Sequence, residues 1–178
     1  MNNTIKEIQE YALSDGDINK YLPNVKIILY NDLKNYNNID ELLPNKNSYF
    51  ILLYQDSETT GHWTAVLRQN NTVEFFDPYG NYPDTQLKWT DKETRESIGI
   101  EGKYLSRLFD RSKLNVVYNT EDYQKEKAGI NTCGRHVVYR LKNNHLPLKH
   151  YHIHIRNESK KNNCDYDCTV TKKINIIE

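Results

Sequence analysis

The chain has little of what would tie it to the secretory pathway or to a membrane. Cysteine is scarce, three in 178 residues, and an odd count does not close a framework of disulfides. No apolar run approaches the roughly 20 residues that a spanning helix needs. Met1–Tyr11 is polar and mixed in charge, without the apolar stretch of a signal peptide. The expectation is a protein of a reducing compartment, not secreted and not in contact with membrane. Net charge is also missing. The 24 Lys and Arg are matched by 24 Asp and Glu, so the whole molecule has no field to gather nucleic acid or acidic lipid. The balance is uneven along the chain, however. From Cys133 onward nine Lys/Arg face four Asp/Glu, a net +5, which leaves 15 against 20, or −5, in the first 132 residues. The basic C-terminal third, with Lys142, Lys149, Arg156, Lys160 and Lys161, is either a solvated face or a surface for weak, salt-sensitive DNA binding.

Internal repeats, low-complexity linkers and clear domain boundaries are absent too, so residues 1–178 read as one domain, with 1–22 and 145–178 as less distinctive peripheral segments. A chain of this length buries about two-thirds of its unfolded surface and needs no disulfide or metal staple. Residues 4–13 predict a helix, with Ile5, Ile8, Ala12 and Leu13 at helical spacing and Thr4 and Glu7 as a capping box. Asp15-Gly16-Asp17 reads as a break. Residues 25–30 and 49–54 then read as short apolar strands, with a helical turn over 38–43 between them, stopped by Pro44. Residues 62–68 and 72–77 are strand-like runs joined by a turn at Gln69-Asn70-Asn71. A short helix over 104–109 and a strand over 114–119 follow. From Cys133 the spacing of Val137, Val138 and Leu141 predicts a helix, with Asn131 or Thr132 as its N-cap. Residues 148–157 alternate as a strand would through His150, His152 and His154, yet Leu148, Tyr151, His152 and Ile155 share a helical face; helix is the reading adopted. The fold class predicted is α+β, a mainly antiparallel sheet with helices around it.

Two features carry chemistry. Cys133 lies at or beside a helix start, where unpaired N–H groups and the helix dipole favour an anion and make a thiolate available near neutral pH. Gly134 beside it would let a substrate backbone approach. A buried, inert cysteine is the competing reading. The 62–77 hairpin supplies a base. With Gln69-Asn70 as the turn, His62 faces Asp77; with Asn70-Asn71, it faces Tyr79 and Asp77 is its diagonal neighbour. Both registers put imidazole and carboxylate on one sheet face, and only a three-residue loop would separate them. A carboxylate beside a histidine fixes its tautomer and stabilises the imidazolium it becomes. His136, three residues after Cys133, is the rival base, but no carboxylate within a turn could orient it. His150, His152, His154, Cys164 and Cys168 match no structural-zinc spacing, and no metal is expected.

Gly61-His62-Trp63, the run Phe75-Phe76-Asp77-Pro78-Tyr79-Gly80, and Asn131-Thr132-Cys133-Gly134-Arg135-His136 together resemble the adenovirus maturation protease, adenain, and its relatives. The order His, Asp, Gln, Cys also resembles the SUMO-deconjugating proteases, and the likeness is greatest to the proteases of virophages, Polinton-type elements and large DNA viruses. It covers about residues 25–143. The resemblance implies a papain-like, adenain-like fold and a thiol protease with Cys133 as nucleophile, His62 as base and Asp77 orienting it. It implies Gln124 as the oxyanion donor, with a longer spacer to Cys133 than the family usually has, and Trp63 as the wall of a cleft that admits small residues such as Gly. No cofactor is required for that chemistry, although stimulation by DNA or a peptide is a further expectation. The implied substrates are capsid or other virion proteins, in the virion and the viral factory. A ubiquitin- or SUMO-like isopeptidase with the same site, and a non-catalytic interaction module of the same fold, are the alternatives.

Overall fold

The computed structural model describes residues 3–176. Two short helices open the chain, α1 (Ile5–Glu10) and α2 (Asp15–Tyr21), each with a reciprocal capping box, Thr4 with Glu7 and Ser14 with Asp17. The second overturns the break expected at Asp15-Gly16-Asp17. Ser14 accepts from the Asp17 N–H while the Asp17 carboxylate takes the Ser14 N–H, so this polar cluster starts a helix.

Five strands form one sheet in chain order: β1 (Ile27–Leu29), β2 (Tyr49–Gln55), β3 (Gly61–Gln69), β4 (Thr72–Phe76) and β5 (Asn115–Tyr118). The three central strands are antiparallel, while β1 and β5 pair in parallel with β2 and β4 at the two edges. Between β1 and β2 lie 3-10 turns at Tyr30–Asn35 and Ile39–Glu41. After β4 come a 3-10 turn at Thr85–Trp89, then α3 (Lys92–Ser97) and α4 (Tyr104–Asp110). The last third is helical: α5 (Cys133–Lys142), α6 (Leu148–Asn162) and α7 (Tyr166–Lys173). The 148–157 segment is thus a helix, as its apolar spacing predicts. Among the described residues no helix is long and apolar enough to cross a membrane.

The period-two alternation of the central strands divides the core. Trp63, Ala65 and Leu67 of β3 pack with Ile51 and Phe76 under α5, α6 and α7. Phe50, Leu52, Val66, Val73 and Phe75 pack with Leu33, Leu43, Leu105 and Leu108 on the other face. Both terminal segments enter the first layer through Leu13, Ile18, Val170 and Ile174. The buried Arg135 ties them together, donating to the Tyr11 carbonyl at 2.6 Å and the Ile174 carbonyl at 3.2 Å. The segments least distinctive in sequence therefore hold the helix that carries Cys133.

Candidate active site

The β3–β4 ladder pairs Gln69 with Thr72 and Ala65 with Phe76, so the two-residue turn is Asn70-Asn71. Asn70 takes φ +53°, a left-handed conformation that asparagine tolerates better than most residues. One step beyond the ladder this register sets Asp77 opposite Thr64, which makes His62 its diagonal neighbour on the same face. The contact is close: His62 Nε2 lies 2.6 Å from Asp77 Oδ1. With Nε2 taken by the carboxylate, Nδ1 is the nitrogen left for a thiol.

Asp77 is fully buried, and the sequence did not reveal what fixes it. Its Oδ1 also accepts the Tyr79 N–H at 2.9 Å, and its Oδ2 accepts from Gln86 Nε2. Asn119, itself buried, clamps its backbone from both sides, accepting the Asp77 N–H at 3.0 Å and donating to the Asp77 carbonyl at 2.6 Å. The bonds from Tyr79 and Gln86 hold the carboxylate at one angle to the imidazole, and Asn119 fixes the backbone that carries it.

Cys133 is the first residue of α5, with Thr132 in the N-cap position. Thr132 does not cap the helix. Its hydroxyl donates instead to the buried Asp167 of α7 at 2.5 Å, which leaves the first-turn N–H groups free for the sulfur. Burial would raise the Cys133 thiol, but hydrogen bonding and charge from His62, with the N–H groups of Trp63 and Gly134, outweigh it and lower the pKa. Burial likewise opposes the charging of His62, yet Asp77 and Cys133 on either side bring it up to about 9. Each member of the pair thus stabilises the ionised form of the other.

Trp63 is pinned by its Nε1–H, which donates to the Leu13 carbonyl at 3.0 Å. It walls a cavity of about 430 Å³ whose other sides are Ala12–Asp15, Ile27, Leu29, Leu53 and Thr59–Gly61. Gly134 meets the same segment. A Cβ there would stand 3.0 Å from Leu13 Cβ and 3.2 Å from Trp63 Cδ1, so the close approach it permits is that of the protein's own N-terminal segment. Gln124 is buried, and its loop is fastened to the end of β4, because the N–H groups of Tyr123 and Gln124 both donate to the Pro78 carbonyl at 2.9 Å. Its Nε2 donates to the Tyr79 hydroxyl at 3.1 Å and to the Ile130 carbonyl at 3.2 Å.

The other histidines are placed elsewhere. His136 does have a carboxylate, from 31 residues away: its Nε2 lies 3.0 Å from Asp167 Oδ1. That contact joins it to the Thr132 anchor rather than to the thiol. His152 and His154 contact the hydroxyls of Tyr123 and Tyr139. Cys168, burdened by burial and by its hydrogen bond to the free thiol of Cys164, has a thiol pushed up to about 11. Iodoacetamide at pH 6 is therefore expected to alkylate Cys133 at least about tenfold faster than Cys168, read by peptide mass, since each unit of pKa changes the thiolate fraction about tenfold. Equal rates at the two thiols would remove the argument for an activated cysteine.

No protein-family model matches the chain. Over 146 residues it is 36% identical to "Uncharacterized protein V9" of Sputnik virophage, in an alignment covering 81% of this chain and 83% of that protein. The chain belongs to the family of this virophage protein. Among solved structures, the ASFV pS273R protease aligns with this member of the family at TM-score 0.46 and 10% identity, over 94% of this chain and 66% of that one. A structure of the SUMO protease Ulp1 aligns at TM-score 0.39 and 15% identity, over 98% of this chain and 74% of that one.

Proposed function

We propose that the chain is a cysteine endopeptidase of the adenovirus-maturation-protease type that trims capsid or other virion precursors. The observation that carries this reading is the position of His62, hydrogen-bonded to the buried Asp77 and close enough to Cys133, at the start of α5, for each to favour the other's charged form. The order of events follows from that geometry. The Cys133 thiolate attacks a peptide carbonyl carbon, and the carbonyl π pair moves to oxygen. The oxyanion is held by the Cys133 N–H, at the start of α5, and by the Gln124 side of the cleft. The His62 imidazolium gives its proton to the departing amine, which leaves with the C–N bond pair. A water then attacks the thioester with His62 as base, releasing the acid and restoring the thiolate. Asp77 keeps Nε2 occupied and so keeps Nδ1 directed to the reaction.

The cavity beside Trp63 is suited to the acyl side of a substrate, with Ile27, Leu29 and Leu53 as its apolar lining and Trp63 as the wall that favours small residues such as Gly. Kinship with a virophage protein supports virion proteins as the substrates. The test is co-expression of the wild type or Cys133→Ala with candidate capsid proteins of the same virus, followed by intact-mass measurement. New termini are expected only with the wild type. Capsid proteins left whole by an alkylatable wild type would remove virion maturation from the reading.

A further inference from the structure

The oxyanion side of the cleft is occupied in an unexpected way. Both amide hydrogens of Gln124 are already committed, one to the Tyr79 hydroxyl and one to the Ile130 carbonyl, and its Oε1 is buried without a partner. A direct bond from Gln124 to a substrate oxyanion would have to break one of these. The Tyr79 oxygen, by contrast, receives a hydrogen from Gln124 and still carries one of its own. Among the described residues nothing accepts that hydrogen.

Tyr79 is also held in place. Its ring stacks on His62 with centroids 4.8 Å apart and planes 20° apart, and Trp89 closes on it edge-on at 5.5 Å. Its N–H is bonded to Asp77 Oδ1 at 2.9 Å, so the backbone that carries the ring is tied to the carboxylate that carries the base. Burial first, and then the negative charge of the nearby Cys133, keep the phenol protonated, well above the ordinary tyrosine range. It can therefore donate a hydrogen without surrendering it.

We infer that Tyr79 is a catalytic residue whose phenolic O–H donates to the oxyanion of the tetrahedral intermediate, and that Gln124 is a positioning residue that aims this hydroxyl. The inference rests on the cysteine-protease reading and refines it. A hydroxyl that accepts one hydrogen bond becomes a better donor in the next, so the Gln124–Tyr79 bond strengthens the contact that forms only as charge develops on the substrate oxygen. No proton changes owner in this contact; the phenol stays neutral while the negative charge appears and disappears beside it.

The test compares wild type, Tyr79→Phe, Gln124→Ala and the double variant, with a benzyloxycarbonyl-glycine p-nitrophenyl ester as probe. Phe keeps the ring stacked on His62 and removes only the hydroxyl. Tyr79→Phe is expected to lower kcat by about 10²–10³-fold with KM little changed, as loss of one oxyanion donor does. The double variant is expected to be no slower than Tyr79→Phe alone, because Gln124 acts through the hydroxyl. Alkylation of Cys133 by iodoacetamide is expected to keep its wild-type rate in Tyr79→Phe, since that displacement builds no oxyanion. Wild-type kcat in Tyr79→Phe with a slow Gln124→Ala would overturn the inference and make Gln124 the direct donor. Parallel loss of ester turnover and alkylation in Tyr79→Phe would overturn it as well, by reducing Tyr79 to a support for His62. Turnover that survives in Cys133→Ala would sink the protease reading itself, whatever Tyr79 does.

Discussion

Cys133→Ala and His62→Ala are each expected to abolish measurable cleavage, a loss on the order of 10⁴-fold or more in kcat, while Asp77→Ala keeps a remnant. In the proposed mechanism nucleophile and base act as one unit, so removing either removes both. Asp77 acts only through His62, and its loss still leaves a thiol beside an imidazole. The pH profile separates the roles more sharply than the rates do. In the proposed mechanism the reactive form is the pair of Cys133 thiolate and His62 imidazolium, and it exists above the lowered pKa of the thiol and below the raised pKa of the imidazole. Since burial of His62 opposes charging and is outweighed by Asp77 and Cys133 to give about 9, activity is lost as pH rises through about 9. Asp77→Ala takes away the leading favourable contribution, so the upper limb moves to lower pH. A less positive His62 also stabilises the thiolate less, so the lower limb moves up. The active window narrows from both sides. An upper limb that stays at about 9 in Asp77→Ala would show that the carboxylate does not control the imidazole.

The pairing of His62 with Asp77 was legible in the sequence for a reason of geometry. The two-residue turns considered at Gln69-Asn70-Asn71 differ by one position in each strand, so their pairings differ by two, and a shift of two in a strand returns every side chain to the same face. The facing of the two side chains survived uncertainty about the turn. The start of α5 at Cys133 was legible for a similar reason, because Val137, Val138 and Leu141 fix one helical face against Trp63 and Ala65. What could not be read was polar and long-range. Asn119 and Gln86 clamp Asp77 from 42 and 9 residues away, and no periodicity connects a buried amide to the carboxylate it serves. His136 looked unsupported because its carboxylate, Asp167, lies on α7, in a segment whose apolar spacing is too thin to announce a helix. The α2 helix was missed although its signal was present. Ser14 and Asp17 have the spacing of a capping box, but with Asp in place of the usual Glu or Gln, and Gly16 between them suggested a turn.

The largest effect on stability is expected from Arg140→Ala. Arg140 lies on α5 two turns after Cys133, and Glu74 lies on β4 three residues before Asp77, both buried. They form a two-pronged ion pair, Nε to Oε1 at 2.9 Å and Nη2 to Oε2 at 2.7 Å. Two further guanidinium hydrogens reach the carbonyls of Asn143 and Leu146, each at 2.9 Å, and the cation sits 4.7 Å from the centre of the Tyr151 ring. The pair thus satisfies the end of α5 and the turn into α6 as well as itself. Removing the arginine leaves a carboxylate buried without its counter-charge and takes one of two donors from each carbonyl, Asn143 keeping the Leu146 N–H and Leu146 keeping Gln69 Nε2. Breaking one side of such a pair costs about 3–5 kcal/mol, a large part of the roughly 5–15 kcal/mol that holds a typical domain together. For a chain of this size that is a fall of about 6–20 °C in Tm. Arg140→Lys keeps the charge but not the planar fork, so it should recover only part of the loss. Arg140→Met with Glu74→Leu removes both charges together and is expected to be more stable than Arg140→Ala, because no ion is then left unpaired. Thermal unfolding of the four proteins, followed by circular dichroism, orders them. If Arg140→Ala melted within about 2 °C of wild type, Glu74 would have to find water or another partner, and the ion pair would not be what fastens the far end of α5 to the sheet.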